Sequence, residues 1–345
     1  MGVIEFRSDN AAPTAPDILA AIEGANTGTA IAYGADATTE QLQAVVRAVF
    51  EHDSARVFPV TSGTAANALS LSALCPPWGA VLCHETAHIL NSEGGATSLL
   101  AGGAVMHGVG GDDYLIDPDA LRGALDGVRW GDPHHSQPAA LSFTQPTDMG
   151  TVYPVERVGA LTAIGREYGL RAHLDGARFA NALVHLGCSP ADLTWRAGID
   201  IVSLGATKNG GLSAEAIVVF DDGVADELVY RTKRSGHVTS KMRFQSAQLI
   251  AYLTDDLWLR LARNANERMA QLVEGLRGLG RDDVVFLNRP DVNMLFLRLD
   301  PDHIAGLQAA GLEFYVLGSD LARLVTNWST NPDEIDRAVA AFAAL

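Results

Sequence analysis

Three cysteines in 345 residues are too few for a disulfide framework, and Cys75, Cys83 and Cys188 show no metal-ligand spacing. They sit in apolar or helical contexts and read as buried free thiols. Positive charge is also scarce: 25 Lys and Arg stand against 41 Asp and Glu, a formal net charge of −16. That deficit argues against nucleic acid or an anionic membrane as the main partner and leaves room for a local anion site. Long apolar runs are missing too. None approaches the roughly 20 residues needed to span a bilayer, and Met1-Gly2-Val3-Ile4-Glu5-Phe6-Arg7 lacks the apolar stretch of a secretion signal. The cytoplasm is the expected compartment. There is no internal repeat and no low-complexity tract, and no metal is expected.

What is present is an ordinary globular composition, 48% hydrophobic and 19% charged, on a chain long enough for two domains. From about Pro16 to Phe220, short apolar runs alternate with amphipathic helical patterns, the signature of a mostly parallel α/β sheet. Seven strands are predicted: Arg56 to Val60, Ala80 to Cys83, Ala104 to His107, Ala139 to Thr144, Arg171 to Leu174, Ile201 to Leu204 and Ala216 to Phe220. Thr39 to Phe50 and Val155 to Tyr168 carry the i, i+3, i+4 apolar spacing of helices packed on a sheet. Asp117-Pro118-Asp119 opens another helix. Past Phe220 the texture changes. One long helix from about Gln245 to Leu276 leads to strands at Val284 to Leu287, Asn293 to Leu299, Glu313 to Leu317 and Leu321 to Val325, then a terminal helix from Pro332. The expected division is residues 1–240, an N-terminal arm with the large α/β domain, and 241–345, the long helix with a small α+β domain.

Two motifs place reactive residues where apolar runs give way to small residues, the edge at which an open α/β sheet meets its ligand. One is His173-Leu174-Asp175-Gly176-Ala177-Arg178, the other Ser203-Leu204-Gly205-Ala206-Thr207-Lys208-Asn209-Gly210-Gly211. A lysine and an aspartate so placed are what pyridoxal phosphate requires: an amine for a Schiff base and a carboxylate that keeps the pyridine nitrogen protonated. Val60-Thr61-Ser62-Gly63-Thr64-Ala65-Ala66-Asn67 follows a strand and opens a helix, so backbone N–H groups and the Ser62 and Thr64 hydroxyls would face a phosphate. His88, one βα unit later, would stack on a flat cofactor or move a proton. The basic run Arg231 to His237 reads as a loop near an anionic ligand.

These motifs, with Phe6-Arg7-Ser8-Asp9, Ala32-Tyr33-Gly34, Ala87-His88-Ile89 and Arg323-Leu324-Val325-Thr326, run in order over nearly the whole chain. Together they resemble the pyridoxal-phosphate-dependent L-threonine aldolases, low-specificity bacterial branch, of the fold-type I aspartate aminotransferase-like superfamily. The resemblance implies a seven-stranded, mostly parallel sheet with helices on both faces, plus the smaller C-terminal domain. It makes Lys208 the Schiff-base lysine, Asp175 the partner of the ring nitrogen, Ser62, Gly63 and Thr64 the phosphate binders, and His88 the stacking residue. Ser8, Arg178 and Arg323 resemble the groups that hold the substrate carboxylate. Tyr33 is similar to a tyrosine contributed by a neighbouring subunit, and either Lys233 or Arg234 would approach across the same interface, implying a homodimer or homotetramer.

Two departures from that pattern stand out. Gln145, in Thr144-Gln145-Pro146-Thr147, lies where many members carry a histidine, and Ser92, in Leu90-Asn91-Ser92-Glu93, lies where many carry an aromatic residue. Both are expected beside the substrate side chain, leaving a roomier and less basic pocket that favours phenylserine. The implied activity is cleavage of threonine, allo-threonine and related β-hydroxy-α-amino acids to glycine and an aldehyde. His88, directly or through water, is expected to take the hydroxyl proton. A β-eliminating lyase or an aminotransferase would share Lys208 and Asp175.

Overall fold

The computed structural model describes residues 2–345; Met1, and with it the first residue of the expected N-terminal reading, lies outside the described residues. Thirteen strands are assigned among them. In chain order they are β1 (Ile4–Glu5), β2 (Arg56–Val60), β3 (Gly79–His84), β4 (Val105–Val109), β5 (Gln137–Thr144), β6 (Arg171–Gly176), β7 (Ile201–Leu204), β8 (Glu215–Val219), β9 (Val285–Phe286), β10 (Met294–Arg298), β11 (Leu312–Glu313), β12 (Tyr315–Leu317) and β13 (Leu321–Val325).

Seven of these form one sheet in the order β2-β8-β7-β6-β5-β3-β4. All run parallel except β8, which is antiparallel to both β2 and β7. Helices connect the parallel strands and cover the sheet, so β3, β7 and β8 are buried at every position and are mostly apolar. Parallel alignment brings the carboxyl ends of β3, β5, β6 and β7 to one edge. Because β8 runs the other way, its first residue, Glu215, reaches that same edge opposite Val60 of β2.

The helices start where the sequence supplies caps. Ser62 Oγ accepts from Ala65 N–H at 3.2 Å to open helix Gly63–Leu74. Asp117 with Pro118 opens Pro118–Asp126, and Asn331 with Glu334 forms a reciprocal box at the start of Pro332–Ala343. The run expected as one helix from Gln245 to Leu276 is two, Arg243–Leu253 and Leu257–Gly278. Asp255 and Asp256 both take left-handed conformations (φ 51° and 55°) and break the axis. Apolar periodicity resumes after the break, so spacing alone cannot show it. The basic run is likewise no loop: Arg231, Lys233 and Arg234 form the last turn of helix Asp222–Arg234.

The C-terminal sheet has the order β12-β13-β10-β9, antiparallel throughout, and the expected strand at Glu313 to Leu317 is interrupted at Phe314. The arm does not join the large sheet. Strand β1 pairs in parallel with β11, and Ile4 and Phe6 lie in the apolar core formed by Met269, Leu276, Leu295 and Phe342. Conversely, helix Arg243–Leu253 contributes Leu249 and Tyr252 to the core of the large sheet. Within helix Leu257–Gly278, Ala262 belongs to the apolar core of the large sheet and Met269 to the second core. Cys75 and Cys83 are buried free thiols that burial pushes up to about 11 and about 12, while Cys188 is only half-buried. Among the described residues, no helix is long and apolar enough to cross a membrane.

Candidate active site

The strand edge described above opens onto a cavity of about 290 Å³ lined by Ser62, Gly63, Thr64, His88, Asp175, Arg178 and Lys208. Seven of the residues singled out from the sequence thus converge on one space, although they lie up to 146 positions apart in the chain.

Lys208 stands in the single turn Thr207–Asn209 after β7. Its neighbour Asn209 fixes the turn by donating from Nδ2 to Tyr252 Oη and to the Trp258 carbonyl, both at 2.9 Å, while Tyr252 Oη donates to the Gly205 carbonyl at 3.1 Å. Glycine is required at 205, where a Cβ would lie 2.5 Å from the Ala177 carbonyl oxygen. Gly210 takes φ +97° to turn the chain back. Beneath this turn the buried Glu215 carboxylate accepts the Ala206 N–H at 2.7 Å, and burial pushes its carboxyl up.

Asp175, next to last in β6, has both oxygens engaged, Oδ1 by the Ala177 N–H at 3.0 Å and Oδ2 by Asn67 Nδ2 at 2.8 Å. Asn67 lies in the second turn of helix Gly63–Leu74, and its Nδ2 also donates to Glu93 Oε1 at 2.8 Å. The same Glu93 oxygen faces His88 Nδ1 at 2.9 Å. Asp175, Asn67, Glu93 and His88 are therefore one connected polar chain along the cavity wall. Its Glu93 side chain is completely buried. The hydrogen bond from Glu93 holds the His88 ring above its ordinary proton affinity, against the effect of burial. The His88 backbone N–H donates to Asp148 Oδ2 at 2.9 Å.

Arg178 is clamped by Asp9, with Nε to Oδ2 at 2.5 Å and Nη2 to Oδ1 at 3.0 Å. Burial would raise the Asp9 carboxyl, but the charges of Arg178 and Lys208 hold it below the usual range. Asn293, just before β10, adds a 3.2 Å hydrogen bond to the same carboxylate.

The remaining sequence candidates fall outside the cavity lining. Ser8 Oγ caps the turn Asp9–Ala11 by accepting the Asn10 N–H at 3.2 Å. Arg323 donates from Nη2 to the Arg7 carbonyl at 3.1 Å and lies 5.0 Å over the Tyr315 ring, leaving a buried Nε without a partner. Tyr33 is exposed and carries Lys233 Nζ 4.6 Å above its ring, beside a second cavity of about 230 Å³; Arg234 is exposed.

Two residues expected beside the substrate side chain lie off the cavity lining. Ser92 is exposed at the end of the short helix His88–Asn91 and does not line the cavity. Gln145 is buried and spends its amide on the Tyr153 backbone, donating from Nε2 at 2.8 Å and accepting at Oε1 at 3.0 Å. Their places are taken by Glu93 and by Thr144, Pro146 and Asp148. Of the functional groups missed from the sequence, Asn67 and Glu93 carried a signal. Asn67 lies one helical turn after Gly63 and Thr64, and Glu93 closes the same turn that His88 opens.

Comparison with known proteins gives a consistent picture. The beta-eliminating lyase family model matches residues 5–301. A low specificity L-threonine aldolase of Pseudomonas aeruginosa is 38% identical over 335 residues, covering 96% of this chain and 94% of its own. The structure of a threonine aldolase from Leishmania major superposes with a TM-score of 0.91 at 26% identity, covering 98% of both chains. Aspartate aminotransferase from Thermus thermophilus shares the fold, with a TM-score of 0.69 at 18% identity.

Proposed function

We infer the activity from kinship and geometry together: this chain belongs to the beta-eliminating lyase family, and its cavity is that of a pyridoxal-phosphate-dependent aldehyde lyase of the fold-type I architecture. It cleaves L-threonine and L-allo-threonine to glycine and acetaldehyde as a low-specificity threonine aldolase. The convergence of Lys208, Asp175 and the Ser62–Thr64 helix start on one cavity carries this reading.

The residues present fit the cofactor. Among the described residues, the buried Asn67 Oδ1 and Glu93 Oε2 line the cavity with no partner. Unpaired buried polar atoms at a cavity wall are expected where a polar ligand sits. When bound, pyridoxal phosphate supplies an aldehyde for an amine and a ring that accepts electrons. The N–H groups at the start of helix Gly63–Leu74, with the Ser62 and Thr64 hydroxyls, would hold its phosphate. Asp175, oriented by Ala177 and Asn67, would keep a proton on the ring nitrogen. Lys208 would supply the amine, and His88, held at Nδ1 by Glu93, would cover the ring.

Arg178 and Arg323 are the carboxylate holders we propose for the substrate. Burial, then the charge of Arg178, lowers the proton affinity of Arg323, so an anion between the two guanidiniums would relieve both. A carboxylate held there fixes which Cα bond stands across the ring plane, and that alignment selects the bond that breaks. Ser8 orders the arm that carries Asp9 to Arg178. Since Ser92 and Gln145 do not reach the cavity, the ground for favouring phenylserine over threonine is removed.

We also propose a homodimer or homotetramer in the cytoplasm. Among the described residues, the basic side chains that line the cavity are His88, Arg178 and Lys208, and Arg178 is already engaged by Asp9. The exposed Tyr33 and Lys233 pair would complete a neighbour's site. Incubation with L-threonine tests the function: wild type should release acetaldehyde and glycine in equal amounts, and Lys208→Ala should lose the visible absorption and nearly all turnover. Pyruvate with ammonia, or a keto acid, would point instead to the eliminating or transaminating alternatives.

A further inference from the structure

Asp148 has no role in the account so far, yet it lines the cavity together with Lys208, Asp175 and His88. Its carboxyl is held in place. Oδ2 accepts the His88 N–H at 2.9 Å, and among the described residues Oδ1 has no hydrogen-bond partner. The loop that carries it is braced on both sides: the Thr147 N–H donates to the Thr151 carbonyl at 2.8 Å, the two threonine hydroxyls meet at 2.7 Å, and Thr151 Oγ1 donates to the Asp113 carbonyl at 2.7 Å. A fixed carboxyl with one free oxygen at a cavity wall is the geometry of a general base.

From this geometry we propose that Asp148, rather than His88, is the base that takes the β-hydroxyl proton of the substrate. The proposal deepens the aldolase reading and rests on it. His88 is the weaker candidate because Glu93 grips its Nδ1 at 2.9 Å and favours the ring that already carries its proton. The more that hydrogen bond favours the protonated ring, the less readily His88 takes up a proton from the hydroxyl. The charged groups around Asp148 are His88, Arg178 and Lys208 on one side of the balance and Asp175 on the other. Burial, then the Asp175 charge, lifts the Asp148 carboxyl above the usual carboxylate range, which brings a base closer to the neutral pH at which it must hand its proton on.

The step balances without any co-reactant. The hydroxyl proton passes to Asp148 Oδ1, and the O–H electron pair becomes the second bond of the aldehyde carbonyl. The Cα–Cβ bond breaks and leaves its pair on Cα. One proton then returns to Cα, equal in number to the one removed, and the products are an aldehyde and glycine.

Asp148→Asn separates this role from a purely structural one, because the amide oxygen still accepts the His88 N–H while the side chain cannot carry the proton. In the variant, kcat for acetaldehyde release from L-threonine should fall by about 100-fold or more with KM within about threefold of wild type. The acidic limb of the wild-type pH profile should disappear. In cofactor-free protein, carboxyl-carbon NMR of Asp148 should show a titration midpoint above the ordinary aspartate range. Asp148→Glu, which keeps the acid one methylene further out, should recover part of the rate with a displaced acidic limb. An Asn variant with kcat within threefold of wild type overturns the proposal alone. Should the Asn variant fail to fold, a Glu variant with an unmoved acidic limb overturns it. A wild type that releases no acetaldehyde overturns the aldolase reading and this proposal together.

Discussion

Acid should weaken this protein through one buried histidine. His173 lies in the middle of β6, two residues before Asp175 and on the same face, and is completely buried. Its Nδ1 meets Ser142 Oγ of β5 and its Nε2 meets Ser203 Oγ of β7, both at 2.9 Å, so the ring ties three adjacent strands together under the cavity. Burial, only partly offset by the Asp175 charge, lowers its pKa from 6.5 to about 4. The sign follows from proton counting. Below pH 6.5 the unfolded chain protonates this ring and the folded chain does not, so stability falls with pH until the folded value is reached. The full loss is about 3 kcal/mol, and about 2 kcal/mol of it is spent by pH 5.2. That is a large share of the 5–15 kcal/mol by which domains are typically stable. The comparison is between wild type and His173→Gln, by urea midpoint from pH 7.5 to 5.2, safely above the sequence pI of about 4.9. Asp148, Asp200 and Glu215, whose carboxyls are raised, shift stability in the opposite sense, but equally in both proteins. The variant should lose about 2 kcal/mol less than wild type over that interval. Parallel loss in the two proteins, or an NMR titration of His173 near 6.5, would refute the reasoning.

Glu93→Gln removes the main cause of the high proton affinity of His88, so the His88 ring should titrate lower by NMR and kcat near neutrality should drop on the order of tenfold, the worth of one hydrogen bond to a charged group. Because Ser92 is exposed and off the cavity, Ser92→Tyr should leave the ratio of kcat/KM for phenylserine and threonine unchanged within twofold; a clear shift would mean that a second subunit brings this surface to the site. Sedimentation should find the active species as a dimer or tetramer, and a fully active monomer would remove the role given to Tyr33 and Lys233.

All seven strands of the large sheet were legible in the sequence to within two residues at either end, and the reason is physical. A strand buried on both faces is mostly apolar, and in a parallel sheet the chemistry gathers where that run stops. Lys208, Asp175, His88 and the Ser62 helix start were readable on those grounds. The failures share a different cause. Gln145 and Ser92 read as site residues from the places they take in the family resemblance, and a place in a pattern does not set side-chain direction: the Tyr153 backbone captures the Gln145 amide, and Ser92 stands exposed at the end of a helix only four residues long. Loop residues such as Asp148 have no periodicity from which a direction can be inferred. The break at Asp255 and Asp256 is invisible for a related reason: it changes φ without changing the apolar pattern.

The placement of Asp9 shows why the two cores meet where they do. The arm that carries it belongs to the small unit through β1, yet its carboxylate closes on Arg178, which follows β6 in the large sheet. Asn293 and Arg323, also of the small unit, reach the same neighbourhood, the first by a hydrogen bond to Asp9 and the second through its charge. A buried guanidinium without a counter-ion would cost several kcal/mol, so Arg178 can face the cavity only because Asp9 neutralises it from behind. Neutralisation by Asp9 leaves Nη1 without a hydrogen-bond partner among the described residues, and a substrate carboxylate needs that edge. The second cation, Arg323, is penalised by burial and by Arg178 until an anion arrives. The Asp9–Arg178 pair and the Asn293 hydrogen bond thereby tie the small unit to the large one beside the cavity that holds Lys208.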